Sequence, residues 1–396
     1  MTVLFDQIGR TETRLKRENE SMFSYLNLSA RVPMAAARQV LEQWFAAYPD
    51  SGKDDLRARF RSPIDSQFKS AFWELYLHEL FSRLGFRLEP HPDIEGSSNH
   101  PDFVVKSGDE PKFYLEAVVA GLPSMQDAGA DARLAVVIDL VNEMQIPEWF
   151  LQVEYRGSPE APPPVNELRQ GLERWLASLD IKVIDAALRA QEWDNVPKFE
   201  WERNGLSLSF TPSPKSPKAA AKPESQPIGI LMPHQGSFLT TDEDIRRAIK
   251  TKSKKYGTLA LPLIVAVNVI SDHCDDIDID NALFGSEQIV VTLNIDGVGP
   301  ERAERRRNGI WFGPKGPRNE PVNAVLVGNN VEIYNCADGD KTPLLIHNPY
   351  SPLLVALEYA LPESIPDDAT HRMKRKDGRS AREFLRLPEP WPPVYD

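Results

Sequence analysis

Apolar residues recur at helical spacing in the chain up to about residue 89. Residues 34–47 carry apolar side chains along one side of a predicted helix, and residues 66–84 do so more clearly. In the second stretch the steps are four, three and four residues, at Trp73, Leu77, Leu80 and Leu84. Gly85 follows directly, and glycine is a common helix stop. The pattern predicts two helices, and we interpret residues 1–65 as an N-terminal helical segment.

Segments with a strand-like pattern follow. Residues 102–106 (DFVVK) and 113–120 (FYLEAVVA) are rich in β-branched and aromatic side chains, and Gly108 lies in the turn between them. This pattern predicts a β-hairpin. Residues 149–155 (WFLQVEY) are predicted to form another strand. Residues 261–270 (LPLIVAVNVI) are continuously apolar, which is typical of a strand that is covered on both faces of a sheet.

Further helices are predicted at residues 132–144, 167–179 and 242–255. The last of these has acidic residues in its first turn and lysines in its last turn, which suits the helix dipole. Residues 211–227 contain five prolines and no large apolar side chain. We therefore expect this stretch to be an exposed, mobile connector.

Length, charge and cysteine count exclude several classes of protein. With 396 residues, the chain exceeds what one hydrophobic core usually organises. Its formal net charge of −12 argues against a histone-like protein, although a local basic surface stays possible. Its two cysteines, Cys274 and Cys336, exclude a disulfide framework. Because the chain lacks an apolar run of about 18 residues and a secretion-type leader, we expect a cytoplasmic protein without a membrane partner.

Three acidic residues stand out by position. Asp102 opens a predicted strand directly after Pro101, and Glu116 lies in the next strand. A hairpin can bring these two carboxylates to neighbouring positions, where they can hold Mg²⁺ or Mn²⁺. Glu74, on the preceding helix, lies off the apolar stripe and is a candidate third group. The plainer interpretation is a turn residue at Asp102 and solvated glutamates, but apolar neighbours on both sides of Glu116 disfavour it.

A helix with a glutamate, then Pro-Asp, then a strand with a glutamate resembles the PD-(D/E)xK nuclease superfamily. The matching segments are AFWELYLHEL, HPDF and FYLEAVV, which begin at residues 71, 100 and 113. The resemblance implies an α/β fold with a restriction-endonuclease-like mixed sheet, flanked by helices in the order α-β-β-β-α-β, over residues 66–270. Residues 121–241 would then be a large insertion that contains the connector, and residues 271–396 a β-rich C-terminal extension.

The resemblance also implies a divalent ion, Mg²⁺ or Mn²⁺, held by Asp102, Glu116 and the Ala117 carbonyl. One position departs from the family pattern, because the lysine expected two residues after the glutamate is Val118 here. In some members of the superfamily this lysine has moved to a nearby helix, and Lys252 is the candidate in this chain. Lys252 continues the apolar stripe of its predicted helix, and burying its charge costs roughly several kcal/mol unless a carboxylate pairs with it.

The function implied is a metal-dependent endonuclease that hydrolyses phosphodiester bonds in nucleic acid, with DNA the expected substrate. Lys252 would position the attacking water, and Glu74 would orient the site or bind a second ion. The absence of the motif lysine also agrees with an alternative, a catalytically inactive nuclease-like module that binds nucleic acid or a partner protein. A third hypothesis is an interaction scaffold that uses the prolines of residues 159–164 and 211–227. The sequence is compatible with a homodimer and with binding to a partner protein.

Residues 301–318 (ERAERRRNGIWFGPKGPR) carry six basic residues against two acidic ones. Basic groups follow phosphates and an aromatic ring can stack on a base. The candidates for contact with nucleic acid are Arg305, Arg306, Arg307, Trp311 and Lys315. A solvated loop with core aromatic residues is the alternative interpretation.

Residues 276–287 place four carboxylates at the spacing of a Ca²⁺-binding loop. Asn281 occupies the position where such a loop needs glycine, and a strand precedes the segment where a helix is required. We therefore interpret this stretch as a solvated acidic loop.

Overall fold

The computed structural model describes residues 2–122, 128–221, 226–233, 241–253, 255–256, 259–271, 274–294, 297–318, 322–351, 353, 361–367 and 372–393. The chain divides into two compact units. Unit 1 consists of Met1–Glu12, Met22–Leu122 and Thr240–Asp396, and unit 2 consists of Thr13–Ser21 and Pro123–Leu239.

The described part of the chain begins with four helices, and strands and further helices follow in mixed order. The helices are α1 (Met22–Leu28), α2 (Val32–Ala47), α3 (Asp50–Phe60), α4 (Asp65–Arg83), α5 (Ala128–Glu143), α6 (Val165–Ala177), α7 (Ile181–Arg189), α8 (Pro217–Ala220), α9 (Thr241–Ser253), α10 (Asp276–Phe284) and α11 (Ala381–Leu385). The strands are β1 (Arg87–Pro90), β2 (Phe103–Ser107), β3 (Glu110–Ala120), β4 (Trp149–Gly157), β5 (Phe199–Arg203), β6 (Leu206–Pro214), β7 (Ile228–Pro233), β8 (Leu263–Val269), β9 (Glu287–Asn294), β10 (Gly297–Arg305), β11 (Phe312–Gly313), β12 (Gly316–Pro317), β13 (Val322–Asn329), β14 (Leu344–His347), β15 (Glu363–Asp367) and β16 (Arg372–Lys376). In the portion of the chain that the structure describes, every helix is too short or too polar to cross a bilayer.

Unit 1 is built on a mixed sheet, which has eight strands among the described residues in the order β1-β2-β3-β8-β13-β14-β15-β16. β1, β2 and β3 form an antiparallel meander, while β3, β8 and β13 run parallel to one another. All seven residues of β8 are buried, which explains why its sequence is continuously apolar. The expected boundary at residue 271 separates no compact unit, because β13 pairs with β8 inside this sheet.

The two faces of this sheet carry separate apolar cores. Alternate residues of β8 point to opposite sides, so Ala266 lies in the core with α4 and Val265 in the core with α9. On the first face the Trp73 indole of α4 donates a 3.0 Å hydrogen bond to the Ala266 carbonyl. On the second face α9 is buried through Ile245 and Ile249. One helix therefore covers each face of the sheet at β3 and β8.

The N-terminal helices belong to the same core as α4. Leu41 and Trp44 of α2 and Leu56 and Phe60 of α3 are buried in it. The residues interpreted as an N-terminal helical segment therefore complete the α4 face of the sheet instead of standing apart from it.

Unit 2 contains a smaller sheet, four-stranded among the described residues, in the order β5-β6-β4-β7. Helices α5, α6 and α7 contribute to one core with it, and alternate residues of β6 are buried there. The connector expected over residues 211–227 is wrong for residues 211–214, because they end β6 and pair with β4. Residues 217–220 form the short helix α8, and residues 222–225 lie outside the described part of the chain.

Residues 276–284 of the acidic segment form a helix, so the loop expected there is wrong, while the solvent exposure expected of Asp275, Asp276 and Asp280 is confirmed. The Asp275 side chain accepts hydrogen bonds from the backbone amides of Ile277 and Asp278, and the Asp278 side chain accepts one from the Asp275 amide. These carboxylates thus cap the first turn of α10, where the helix dipole favours negative charge.

Candidate active site

Asp102, Glu116 and Lys252 meet on the α9 face of the unit 1 sheet. The Lys252 Nζ atom lies 3.0 Å from Asp102 Oδ2 and 2.6 Å from Glu116 Oε2. Asp102 directly precedes β2, Glu116 lies within β3, and Lys252 comes from the last turn of α9. The structure thus joins the two carboxylates to a lysine that is 150 residues distant from Asp102 in the sequence.

The alternation of β3 and the helical repeat of α9 explain this meeting. Leu115 points into the core with α4, so the side chain of Glu116 points to the opposite face, where it is fully buried. On α9, Ile245 and Ile249 are fully buried on the same face, and Lys252 follows at helical spacing. The stripe that anchors α9 therefore also delivers the ammonium group to Glu116.

A backbone contact fixes the other carboxylate. The Ala117 amide donates a 2.7 Å hydrogen bond to Asp102 Oδ2, whereas the Tyr114 amide donates towards β8, to the Pro262 carbonyl. Successive residues of a strand direct their amides to alternate sides. The backbone of Ala117 therefore faces the Asp102 side of β3, away from β8.

Tyr256, just beyond α9, completes the cluster. Its hydroxyl lies 3.0 Å from the His100 carbonyl and also contacts Glu116 Oε1, so its one proton is shared between these two acceptors. Sequence reasoning gave Tyr256 no functional role, although it lies four residues after Lys252 on the same stripe. This spacing was the available signal, but a tyrosine on an apolar stripe is ordinary in a core.

Burial and charge set the protonation of the cluster. Burial and the neighbouring Asp102 charge raise the pKa of Glu116 to about 7, while Lys252 and Tyr256 oppose that shift. Burial alone would lower the pKa of Lys252, but Asp102 and Glu116 outweigh it, and the pKa of Lys252 is raised. The lysine is therefore a cation that faces two carboxylates.

Glu74 belongs to a different cluster, on the α4 side. Its Oε1 accepts a 2.6 Å hydrogen bond from the Tyr48 hydroxyl, and its Oε2 accepts a 2.7 Å bond from Arg59 Nη2. Burial, reinforced by the charge of Asp102, raises the pKa of Glu74. The structure thus places Glu74 within electrostatic reach of Asp102, but both of its oxygens are engaged elsewhere. Sequence reasoning identified neither Tyr48 nor Arg59, since neither lies in a recognisable motif.

The donor set of this site suits a hard divalent ion. Asp102 and Glu116 supply carboxylate oxygens, and Mg²⁺ is commonly bound through one or two carboxylates while it keeps several waters. Among the residues that the structure describes, His, Cys, Asp and Glu form no cluster of three or more that could hold a metal ion. The two carboxylates are ligands of the type that Mg²⁺ and Mn²⁺ prefer, and the binding of such an ion stays a prediction.

The basic segment of residues 301–318 does not present its tryptophan. Trp311 is fully buried, and its indole donates a 3.2 Å hydrogen bond to the Val322 carbonyl. The prediction that Trp311 stacks on a base is therefore wrong, because the ring is part of the core. A role in binding nucleic acid stays a prediction for the remaining candidates, Arg305, Arg306, Arg307 and Lys315.

Three of these basic residues have partners within the protein, Arg307 donating a 3.5 Å hydrogen bond to the Pro314 carbonyl. Arg305 forms an ion pair with Glu287 at 2.9 Å, and Arg306 donates a 3.0 Å hydrogen bond to Gln288. Arg306, Arg307 and Lys315 are exposed. Their charge is accessible to an anionic partner.

No family model matches this chain, and no curated protein or solved structure matches it either. The geometry of the site therefore carries the functional interpretation.

Proposed function

We propose that this protein is a metal-dependent nuclease that hydrolyses phosphodiester bonds in nucleic acid, with DNA as the expected substrate. The observation that carries this proposal is the position of Lys252, whose Nζ lies within hydrogen-bonding distance of both Asp102 and Glu116. A lysine buried beside two carboxylates is the constellation that the resemblance to PD-(D/E)xK nucleases implies. Here the lysine comes from α9 because Val118 occupies its usual place.

The order of elements supports the same proposal. Within unit 1 the chain runs through α4, β1, β2, β3, α9 and β8, with the insertion between β3 and α9. This is the α-β-β-β-α-β order of a restriction-endonuclease-like core. Asp102 and Glu116 come from its central hairpin, and Lys252 comes from its second helix.

Each residue has a chemical role in this proposal. Asp102 and Glu116, with the Ala117 carbonyl, would hold Mg²⁺ or Mn²⁺, which lowers the pKa of a bound water and neutralises phosphate charge. The Lys252 ammonium orients the attacking water and stabilises the negative charge that develops in the transition state. Glu116 is buried, so its interaction with Lys252 is little screened by solvent.

A second candidate function is a catalytically inactive module that binds nucleic acid or a partner protein. One observation favours it: Lys252 contacts both carboxylates, so its ammonium group by itself offsets part of their charge. In that case the cluster would stabilise the junction of α9 with the hairpin and would have no role in chemistry.

Cleavage assays with the double variant D102A/E116A separate the two candidates. The full-length protein is incubated with plasmid, single-stranded DNA and RNA in the presence of Mg²⁺, Mn²⁺ or EDTA. We expect cleavage that requires a divalent ion and that is abolished in the double variant, because the ion loses both carboxylates.

The matched control is D109N/E110Q, which changes two exposed carboxylates in the turn of the same hairpin. It should cleave like the wild type. Full activity in D102A/E116A would overturn the nuclease proposal. Binding of nucleic acid without cleavage by the wild type would favour the inactive module.

A further inference from the structure

Tyr256 connects the two chain segments that carry the carboxylates. Its hydroxyl contacts the carbonyl of His100, two residues before Asp102, and Oε1 of Glu116 in β3. We propose that Tyr256 is a positioning residue that fixes Asp102 and Glu116 relative to each other for the binding of a divalent ion. Nothing in the motif pattern of the sequence assigns it this role.

The first step concerns the orientation of the Glu116 carboxylate. Its two oxygens have different partners, Oε1 contacting Tyr256 and Oε2 lying 2.6 Å from Lys252 Nζ. Because one oxygen is held by Tyr256, the carboxylate cannot rotate without losing a buried hydrogen bond. Oε2 therefore stays directed at Lys252 Nζ, which also lies 3.0 Å from Asp102 Oδ2.

The second step concerns the loop before Asp102. Two consecutive residues beyond α9 contact two consecutive residues of this loop. The Lys255 carbonyl accepts a 2.8 Å hydrogen bond from the Asn99 side chain, and the Tyr256 hydroxyl contacts the His100 carbonyl. The segment that follows Lys252 thus holds the loop that precedes Asp102, and Tyr256 alone also reaches Glu116.

The third step distinguishes positioning from catalysis. Tyr256 is buried, and its hydroxyl is directed to Glu116 and to a backbone carbonyl. Groups that orient metal ligands from behind typically change metal affinity or activity about 10- to 100-fold when they are removed. The expected signature is therefore a loss in metal affinity and in kcat, with little change in the KM for nucleic acid.

The substitution Tyr256→Phe tests this inference. In the full-length protein, calorimetry measures the Kd for Mn²⁺, and steady-state cleavage measures kcat and KM. We expect Y256F to weaken Mn²⁺ binding about tenfold and to lower kcat by about 10- to 100-fold, with KM nearly unchanged.

The matched control is Tyr76→Phe. Tyr76 is fully buried in the core on the other face of the sheet, and among the described residues its hydroxyl has no hydrogen-bond partner. Y76F removes a buried hydroxyl without touching the site, so it should keep the wild-type Kd and kcat. Unchanged Mn²⁺ affinity and kcat in Y256F would overturn the inference.

The catalytic part of this inference depends on the proposed function, and the assay separates the two. A wild type that binds Mn²⁺ without cleaving nucleic acid contradicts the nuclease proposal, and the Kd of Y256F still decides the role of Tyr256. If the wild type binds no Mn²⁺, the positioning role is overturned. If Y256F does not fold, the exposed substitution Asn99→Ala removes the other contact of the loop, and several-fold weaker Mn²⁺ binding supports the inference while an unchanged Kd overturns it.

Discussion

Two buried glutamates lie in unit 1 on opposite sides of the same sheet, and their hydrogen bonds and ion pairs together follow one pattern. In each, Oε1 is bound by a tyrosine hydroxyl, that of Tyr256 for Glu116 and that of Tyr48 for Glu74. In each, Oε2 is bound by a cation that is itself shared with an aspartate. A count of polar contacts would therefore treat the two clusters as equivalent.

The shared aspartates differ in their exposure. Asp102 exposes 18% of its side chain and shares Lys252, whereas Asp55 exposes 61% and shares Arg59. Solvent screens the charge of Asp55, so Arg59 and Glu74 form a nearly neutral pair, in which Glu74 is buried and Arg59 is 28% exposed. Asp102 is largely shielded, so above the Glu116 pKa of about 7 the two carboxylates carry one negative charge more than Lys252 offsets. This excess suits a divalent cation. The two clusters therefore differ in the exposure of the second carboxylate, which is low for Asp102 and high for Asp55.

The strongest test of this difference replaces Lys252 and Arg59, the cations of the two clusters, with methionine. We expect K252M to lower the single-turnover cleavage rate about 10²- to 10³-fold at saturating Mg²⁺, because a charge-stabilising donor is lost. R59M should cleave at the wild-type rate once the folded fraction is taken into account. A K252M protein that cleaves as fast as the wild type would remove the distinction between the two clusters.

The free energy of unfolding tests the Glu74 cluster. R59M leaves Glu74 buried without its cation, and we expect it to lower the free energy of unfolding by about 3 kcal/mol. D55N removes only the exposed partner of Arg59 and should cost about 0.5 kcal/mol. Urea unfolding of the metal-free proteins measures both values, and equal losses in the two variants would contradict the screening argument.

The pH dependence of stability offers a smaller test at Glu116. The pKa of Glu116 is raised to about 7 in the folded protein, from an ordinary value of 4.5. The folded state therefore holds this proton more tightly than the unfolded state does. The resulting stability is fully present below pH 4.5 and is lost as the pH rises to about 7.

E116Q cannot titrate, so it should remove about 3 kcal/mol of this decline, since one pKa unit corresponds to about 1.4 kcal/mol. Urea unfolding at a series of pH values without added metal measures the slope. E110Q, an exposed position at the start of the same strand, is the control and should keep the wild-type slope. If the free energy of unfolding of E116Q still falls steeply with pH, another group takes up the proton.

The residues of the candidate active site were predictable because two kinds of signal coincided at them. The Pro-Asp and strand-glutamate spacing indicated Asp102 and Glu116, and the position of a lysine on an apolar stripe indicated Lys252. In the Glu74 cluster only one of the three residues gave a signal in the sequence. Glu74 itself stood out, but Tyr48 and Arg59 lie 26 and 15 residues away along the chain and are brought to it by the packing of helices.

The errors have local physical causes. Trp311 was assigned to a basic surface because sequence composition does not show which aromatic ring enters the core. The prolines of residues 211–214 suggested a connector, yet the alternate burial of β6 continues through Pro212. In α10 the run of exposed aspartates suggested a loop, although an aspartate three residues after Asp275 is itself a capping pattern.

The insertion between β3 and α9 has a consequence for synthesis on the ribosome. Lys252 lies 150 residues after Asp102, so at about 5–20 residues per second it is made on the order of ten to thirty seconds later. During that interval β3 lacks β8, its parallel neighbour, and the meander of β1 to β3 presents an open edge. The nascent chain therefore has to keep this edge from pairing with other chains until β8 arrives.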